Sequence, residues 1–518
     1  MTTANPPPRR ERLLEGALLF TFVMHGLAML GMVGLLLPMM PGGGTVSDGE
    51  RIAAIAAHPW RFRLGWLPWQ LTAVSDIVLG IALLRARWVP RGPAIVAFFF
   101  TIAAVLPDQA AQIAWTTVGI DAARDAVRRG DPAEYLALER LLFLGTAAVA
   151  ATLYTLGGVA WCWCFVRAGT WSRALGRLSI ALYGIFFSIS VAPALPPSIR
   201  PTSAVVAAGN ALGFVLLELW FALVAEAVLR RARPVTAHGR DAVWRHPRRG
   251  LLGRALDVLA ESRFLRFVCE LMPVVAFKSD IREVIYVSYL VPAARLEGLV
   301  PEGLELQRLG PQRDHALFTF LSYRHGHFGP RALGPLRRLM PSPVQSNWRI
   351  HVLDPRTGHR GIYFVTSAIT TALHALGARL MSEGMPMHVL EKAVVQRDPD
   401  GTVHLSVDPG AGSGPDVEAT LRPANNPALP APWSECFDGF QDFLAHCVPQ
   451  DRAISTQTWW PRVTRQEIDL GIPLTGCERL EGDVVSRAAA AIVGDARPLC
   501  FRVPSVSFLF TGEEHDPA

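Results

Sequence analysis

Gln345, Asn347, Arg349 and His351 occupy every second position of one short segment, with Ser346, Trp348, Ile350 and Val352 between them. Side chains two apart on a strand share a face. The spacing therefore predicts a polar row on one side and a mostly apolar row on the other. Two amides, a guanidinium fork and an imidazole on one face suit a carboxylate or another anionic oxygen ligand. The same alternation also describes the solvated face of a sheet packed on its Trp348 side. Periodicity alone leaves both readings open.

Other residues carry weaker chemistry. Tyr323-Arg324-His325-Gly326-His327 contains a His-x-His pair, and alternate strand residues can converge on a metal. With no third ligand at matching spacing it reads as a surface loop, and no metal site is expected. The seven cysteines are scattered, without paired CxxC spacing, which argues against structural zinc and for a reduced compartment. No G-x-S-x-G elbow, P-loop or H-E-x-x-H occurs, and no cofactor is expected. The formal charge of +6 rests almost entirely on Arg, since Lys278 and Lys392 are the only lysines. No basic patch is interleaved with aromatics, so nucleic acid is not an expected partner.

The elements that must position these residues fall into two unlike halves. A membrane span needs about 20 mostly apolar residues, and six such runs precede residue 230: Leu13–Leu37, Trp66–Leu84, Ala94–Gly119, Leu141–Val166, Leu178–Leu195 and Ala204–Leu229. Arg is enriched in the flanks that would be cytoplasmic if the N-terminus is inside, including Arg85, Arg87, Arg91, Arg230, Arg231 and Arg233. This predicts a multi-pass protein of the cell (inner) membrane with both termini cytoplasmic and the bilayer as partner. His25, Asp76, Asp108 and Glu218 fall inside the runs. Ionisable groups at that depth are costly and usually face the bundle interior. They predict either a proton, ion or small-molecule pathway through Asp76 and Glu218 with His25 as partner, or plain helix–helix hydrogen bonding.

The domain division read from composition is a six-span helical domain over 1–230, an Arg/Pro-rich juxtamembrane linker with a short amphipathic helix over 231–265, and a soluble domain over 266–518. From Arg282 onward the hydrophobic period is two. Strands are expected at Arg282–Leu290, Leu304–Leu309, His315–Ser322, Val344–Leu353, Arg360–Ser367, Met387–Arg397, Thr402–Val407, Val417–Arg422 and Leu499–Phe510. Pro399-Asp-Gly401 supplies a hairpin turn. Helices are expected at Ala368–Ser382 and Cys436–Cys447. The fold class is a six-helix transmembrane bundle followed by a mainly antiparallel curved sheet or barrel with a few helices.

The strand Arg282-Glu-Val-Ile-Tyr-Val-Ser-Tyr-Leu-Val-Pro292, followed by Leu296-Glu-Gly-Leu-Val-Pro301-Glu-Gly-Leu304, resembles the opening of the acetoacetate-decarboxylase superfamily. The order continues with Gln345-Ser-Asn347-Trp-Arg349-Ile-His351-Val, Gly361-Ile-Tyr363-Phe364, Ala378-Arg379-Leu380, Met385-Pro386-Met387-His388 and Phe501-Arg-Val-Pro504-Ser505-Val506. That set is similar to an uncharacterised branch of the superfamily, and covers about Arg282–Phe510. The resemblance implies that the polar row lines a cavity, with Tyr363 and His388 at its border. The superfamily's decarboxylases use a lysine that forms a Schiff base, placed near Pro386. Here Met387 and His388 follow that proline, and Gln345 stands where an acidic residue is expected.

Three functions follow from this reading. One is a membrane-anchored cytoplasmic domain binding a small organic acid. Another is an enzyme on such a metabolite, with His388 or His351 as acid/base and Arg349 holding a carboxylate. The last is a carrier regulated by its soluble domain.

Overall fold

The computed structural model describes residues 9–40, 46–196, 198–232, 244–270, 272, 275–300, 303–382, 386–424, 428–448, 452–456, 463–472 and 474–515. Arg233 and Met385 lie outside them. The chain separates into two compact units, Met1–Pro234 and Val235–Ala518.

The first unit is helical. Among the described residues six helices are long and apolar enough to cross a membrane: Leu13–Met39, Pro59–Arg85, Arg91–Arg129, Ala133–Arg167, Arg173–Val191 and Ala204–Arg230. These helices fit a membrane protein. The third and fourth run further than the apolar stretches predict, because helix continues into the polar loop between them. Two further features shape this unit. Ser47 and Glu50 form a reciprocal capping box that starts the short helix Asp48–Ala57. Arg51 on that helix grips Glu139 through two bonds of 2.5 and 2.8 Å, both groups being buried. Small residues allow the helices to meet: a Cβ on Gly158 would lie 2.1 Å from the ring of Tyr183.

The second unit is a 15-stranded sheet with short helices. Its strands are β1 Phe277–Pro292, β2 Glu305–Leu306, β3 Arg308–Leu309, β4 His315–Arg324, β5 Gly329–Pro330, β6 Val344–Asp354, β7 His359–Ile369, β8 Met387–Val389, β9 Lys392–Arg397, β10 Val403–Asp408, β11 Val417–Pro423, β12 Arg452–Thr456, β13 Val463–Gly471, β14 Glu478–Val485 and β15 Pro498–His515. The pairing runs β1-β4-β6-β7-β12-β13-β15, and β15 pairs back to β1. The link between β7 and β12 is the single parallel pair Ile362–Ala453. The sheet is therefore strongly curved and not a regular barrel. Its pairing is otherwise mainly antiparallel.

Curvature gives the sheet two cores. On one face Ile285, Val287, Phe318, Phe320, Trp348 and Ile350 meet β9–β11. On the other, Tyr286, Leu290, Leu321, Phe501 and Val503 enclose Phe443, Leu444 and Cys447 of the helix Phe440–Cys447. Both faces of β6 are thus covered, which is why all of Val344–Val352 is buried. Ahead of the sheet, Trp244 is buried against Ala260, Ile369, Ala375, Met387 and Val389. Its indole donates to the Met387 carbonyl at 3.1 Å.

Candidate functional site

The strand β6 delivers the polar row to the concave core. The pairs Tyr323–Gln345, Leu321–Asn347 and Thr319–Arg349 place the row beside the inward residues of β4, and Tyr286–Leu321 and Ser288–Thr319 extend that face to β1. The row is not a solvated face: Gln345, Asn347, Arg349 and His351 are all buried.

The row divides into two pairs with different chemistry. Gln345 and Asn347 are consumed internally. The Gln345 amide nitrogen donates to Asn347 Oδ1 at 2.7 Å, Asn347 Nδ2 donates to the Tyr323 hydroxyl at 3.0 Å, and Gln345 Oε1 meets His325 Nε2 at 2.7 Å. His325 Nδ1 lies 2.8 Å from Ser279 Oγ. The surface loop expected at His325 is corrected here: the residue follows β4 directly and turns into the core, stacked on Phe328 at 4.2 Å. Burial pulls its pKa down to about 3, opposed by the Gln345 bond.

Arg349 and His351 are not consumed in this way. Arg349 is 3% exposed, and its Nη2 donates to the Cys447 carbonyl at 3.2 Å. Its guanidinium carbon lies 5.4 Å from the centre of the Tyr286 ring, which stacks on Phe501. Its Nε finds no hydrogen-bond partner, and no carboxylate pairs with it among the described residues. Around it lie Thr319 and Ser288, joined at 3.1 Å, and the Cys447 thiol at 3.9 and 3.7 Å from them. Burial pushes the Cys447 and Tyr286 pKa values up, while Arg349 opposes both shifts. Neither ring nitrogen of His351 has a hydrogen-bond partner among the described residues. Burial holds His351 well below the usual imidazole range, with the Arg349 charge and His446 adding to the effect. Its ring stacks on His446 at 5.6 Å.

His446 in turn lines a groove of about 590 Å³ with Gln307, Arg308, Arg313, Arg360 and Glu305 among its walls. The last turn of the helix Phe440–Cys447 therefore has His446 on the groove and the Cys447 carbonyl on Arg349.

Two expected border residues lie elsewhere. Tyr363 pairs with Ile350, and His388 pairs with Ala368, which pairs with Ser346. Both sit on the Trp348 face. A register shift between Trp348 and Arg349 decides the placement of Tyr363. His388 Nδ1 meets Ser413 Oγ at 2.7 Å. Residues that sequence reasoning missed, Tyr286, Ser288, Thr319 and Cys447, come from apolar runs or a helix end, where nothing in the local pattern separates them from core. Lys392 is exposed on β9 opposite Asp408.

In the helical unit, Asp76 interacts electrostatically with Asp108, Tyr154 and Tyr183. Glu218 lies near Gly26, where an added Cβ would be 3.9 Å from its Oε1, and neither of its oxygens finds a partner among the described residues. His25 Nδ1 meets the Thr21 carbonyl at 2.9 Å and its ring lies 5.2 Å from that of Phe221. Among the described residues no group of three metal-binding side chains occurs.

Among curated proteins nothing matches this chain. Solved structures similar to it include an acetoacetate decarboxylase from Legionella pneumophila (13% identity, TM-score 0.34, covering 47% of this chain and 88% of that one). An acetoacetate decarboxylase-like enzyme from Sphingomonas wittichii RW1 shows 11% identity and a TM-score of 0.35 over 48% of this chain and 95% of that one. The enduracididine biosynthesis enzyme MppR, complexed with pyruvate, shows 16% identity and a TM-score of 0.34 over 47% and 91%. Over residues 278–470 the chain matches the DUF2071 family, described as an uncharacterized conserved protein.

Proposed function

We propose that the sheet unit binds a small organic acid, with Arg349 as its anchor and without Schiff-base chemistry. The observation that carries this reading is a buried guanidinium with a free Nε and no carboxylate partner among the described residues. A buried charge costs several kcal/mol unless it is paired, and an Arg fork matches a carboxylate with two parallel bonds. Ser288 and Thr319 supply hydroxyls beside it, and His351 supplies an imidazole with both nitrogens free. The groove walled by His446 is the approach, with the Cys447 end of the helix as the barrier to be displaced. His388 lies on the other face, so any acid/base role falls to His351.

The Cys447 bond favours a second, structural reading. A helix C-terminus carries partial negative charge, and Arg349 caps it. The two readings separate under titration with a panel of small carboxylates, pyruvate and acetoacetate among them. Binding that is lost in Arg349→Met while the fold is retained supports the anchor. Absence of binding across the panel, with loss of stability in the variant, supports capping alone.

The same reading includes a helical domain over 1–230 in the inner membrane, a linker over 231–265 and a cytoplasmic domain over 266–518. The Arg bias of the flanks supports both termini inside. Reporter fusions after Leu84, Gly119 and Ala518 test it, and an external signal at Ala518 sinks it.

A further inference from the structure

The helical unit gathers oxygen atoms around Asp76 and Asp108. Asp76 belongs to the helix Pro59–Arg85, Asp108 to Arg91–Ala114, and Tyr154 to Ala151–Arg167. Glycines press these helices together: a Cβ on Gly80 would lie 2.8 Å from Phe98, and one on Gly157 would lie 3.7 Å from the Thr101 backbone.

The two carboxylates are served differently. Asp108 Oδ2 accepts from Gln112 Nε2 at 2.9 Å, the Tyr154 hydroxyl at 3.3 Å and Gln109 Nε2 at 3.4 Å. Asp76 is 5% exposed, yet its Oδ1 finds no partner among the described residues. Two further buried oxygens at the cluster lack partners. One is Oε1 of Gln112, a residue 3% exposed whose amide nitrogen is tied to Asp108. The other is the Tyr183 hydroxyl, whose electrostatic neighbours include Asp76. No Arg, Lys or His pairs with either carboxylate among the described residues.

We propose that Asp76, Asp108, Gln112 and Tyr183 form an intramembrane site for one alkali-metal cation ligated by oxygen. Hard cations take carboxylate, amide and hydroxyl oxygens, and unsatisfied carboxylates within a bundle mark ion sites. Three neutral donors stabilise the Asp108 carboxylate, whereas the Asp76 carboxylate is left to be matched. One positive charge meets that need, so the site suits a monovalent ion.

The test uses the full chain in lipid nanodiscs. Its melting temperature is followed while NaCl, KCl or LiCl replaces choline chloride at constant ionic strength and pH. The expected result is a saturable rise with one or more alkali ions, lost in Asp76→Asn. If that variant does not fold, Tyr183→Phe, which keeps the ring and removes one oxygen, is expected to shift the half-saturating concentration upward several-fold. Coincident alkali and choline curves overturn the site. So does a stability that, when the series is repeated at several pH values, follows pH alone, which means a shared proton only. An undiminished alkali response in Asp76→Asn or Tyr183→Phe overturns it as well.

Discussion

The helical unit holds acids that meet no base among the described residues, and the sheet unit holds a base that meets no acid. Among the described residues, Asp76 and Glu218 hold oxygens that meet no donor, while Arg349 holds a nitrogen that meets no acceptor. Elsewhere the same chain pairs buried charges, as Arg51 with Glu139 and the buried Arg502 with Glu283 show. The unpaired groups are therefore local exceptions, and their opposite signs underlie the two proposals: a cation for the bundle and an anion for the sheet.

The comparison first requires that the sheet unit stand by itself. A fragment from Val235 should fold, whereas one from Leu256 lacks Trp244 and the backbone it anchors. Trp244→Ala is expected to cost about 3–5 kcal/mol, the scale of emptying a large buried aromatic site. Denaturant unfolding of both fragments measures this, and equal stability would move the boundary of the unit past Trp244.

The sign of the sheet's site is tested next. Arg349→Ala should weaken carboxylate binding by roughly 1.5–3 kcal/mol, the scale of a charge-assisted hydrogen bond. Calorimetric titration reads this as a loss of about tenfold or more. Arg349→Met should leave stability nearly unchanged, because removing a buried charge offsets the lost cap.

Acid should loosen the sheet unit through its buried histidines. His351 and His325 have folded pKa values below the unfolded value, so the unfolded chain binds more protons as pH falls below about 6.5. Stability is full above that point and is lost as pH falls towards the folded values. Each residue contributes a slope of about 1.4 kcal/mol per pH unit. Unfolding curves between pH 7 and 5 should flatten by one proton in His351→Leu, and an unchanged slope would remove His351 from the account.

The smallest expected signal is none. Borohydride trapping with acetoacetate should give no adduct, since Lys392 is exposed on β9 and Lys278 pairs at the far start of β1. A trapped adduct on Lys392 would restore the Schiff-base reading.

The spans were legible because a 20-residue apolar run has few other uses in a protein. Most strands were legible from period two, and the polar row of β6 with them. The strands β12, β13 and β14 were missed, since Arg452–Thr456 and Glu478–Val485 mix charge and apolar residues without clean alternation. The face of Tyr363 could not be read, because a one-residue irregularity between Trp348 and Arg349 reverses parity on β7. The helix that brings Cys447 to Arg349 is nearly a hundred residues away in sequence, and only tertiary packing supplies that contact. His325 was hidden by its Gly-rich neighbourhood, which looks like a turn whether or not it is buried.

The most direct measurement is native mass spectrometry of small acids retained by the full-length protein, wild type against Arg349→Met. The account predicts one bound carboxylate per wild-type chain and none on the folded variant. Equal retention by both, or none by wild type across the carboxylate panel, would contradict it.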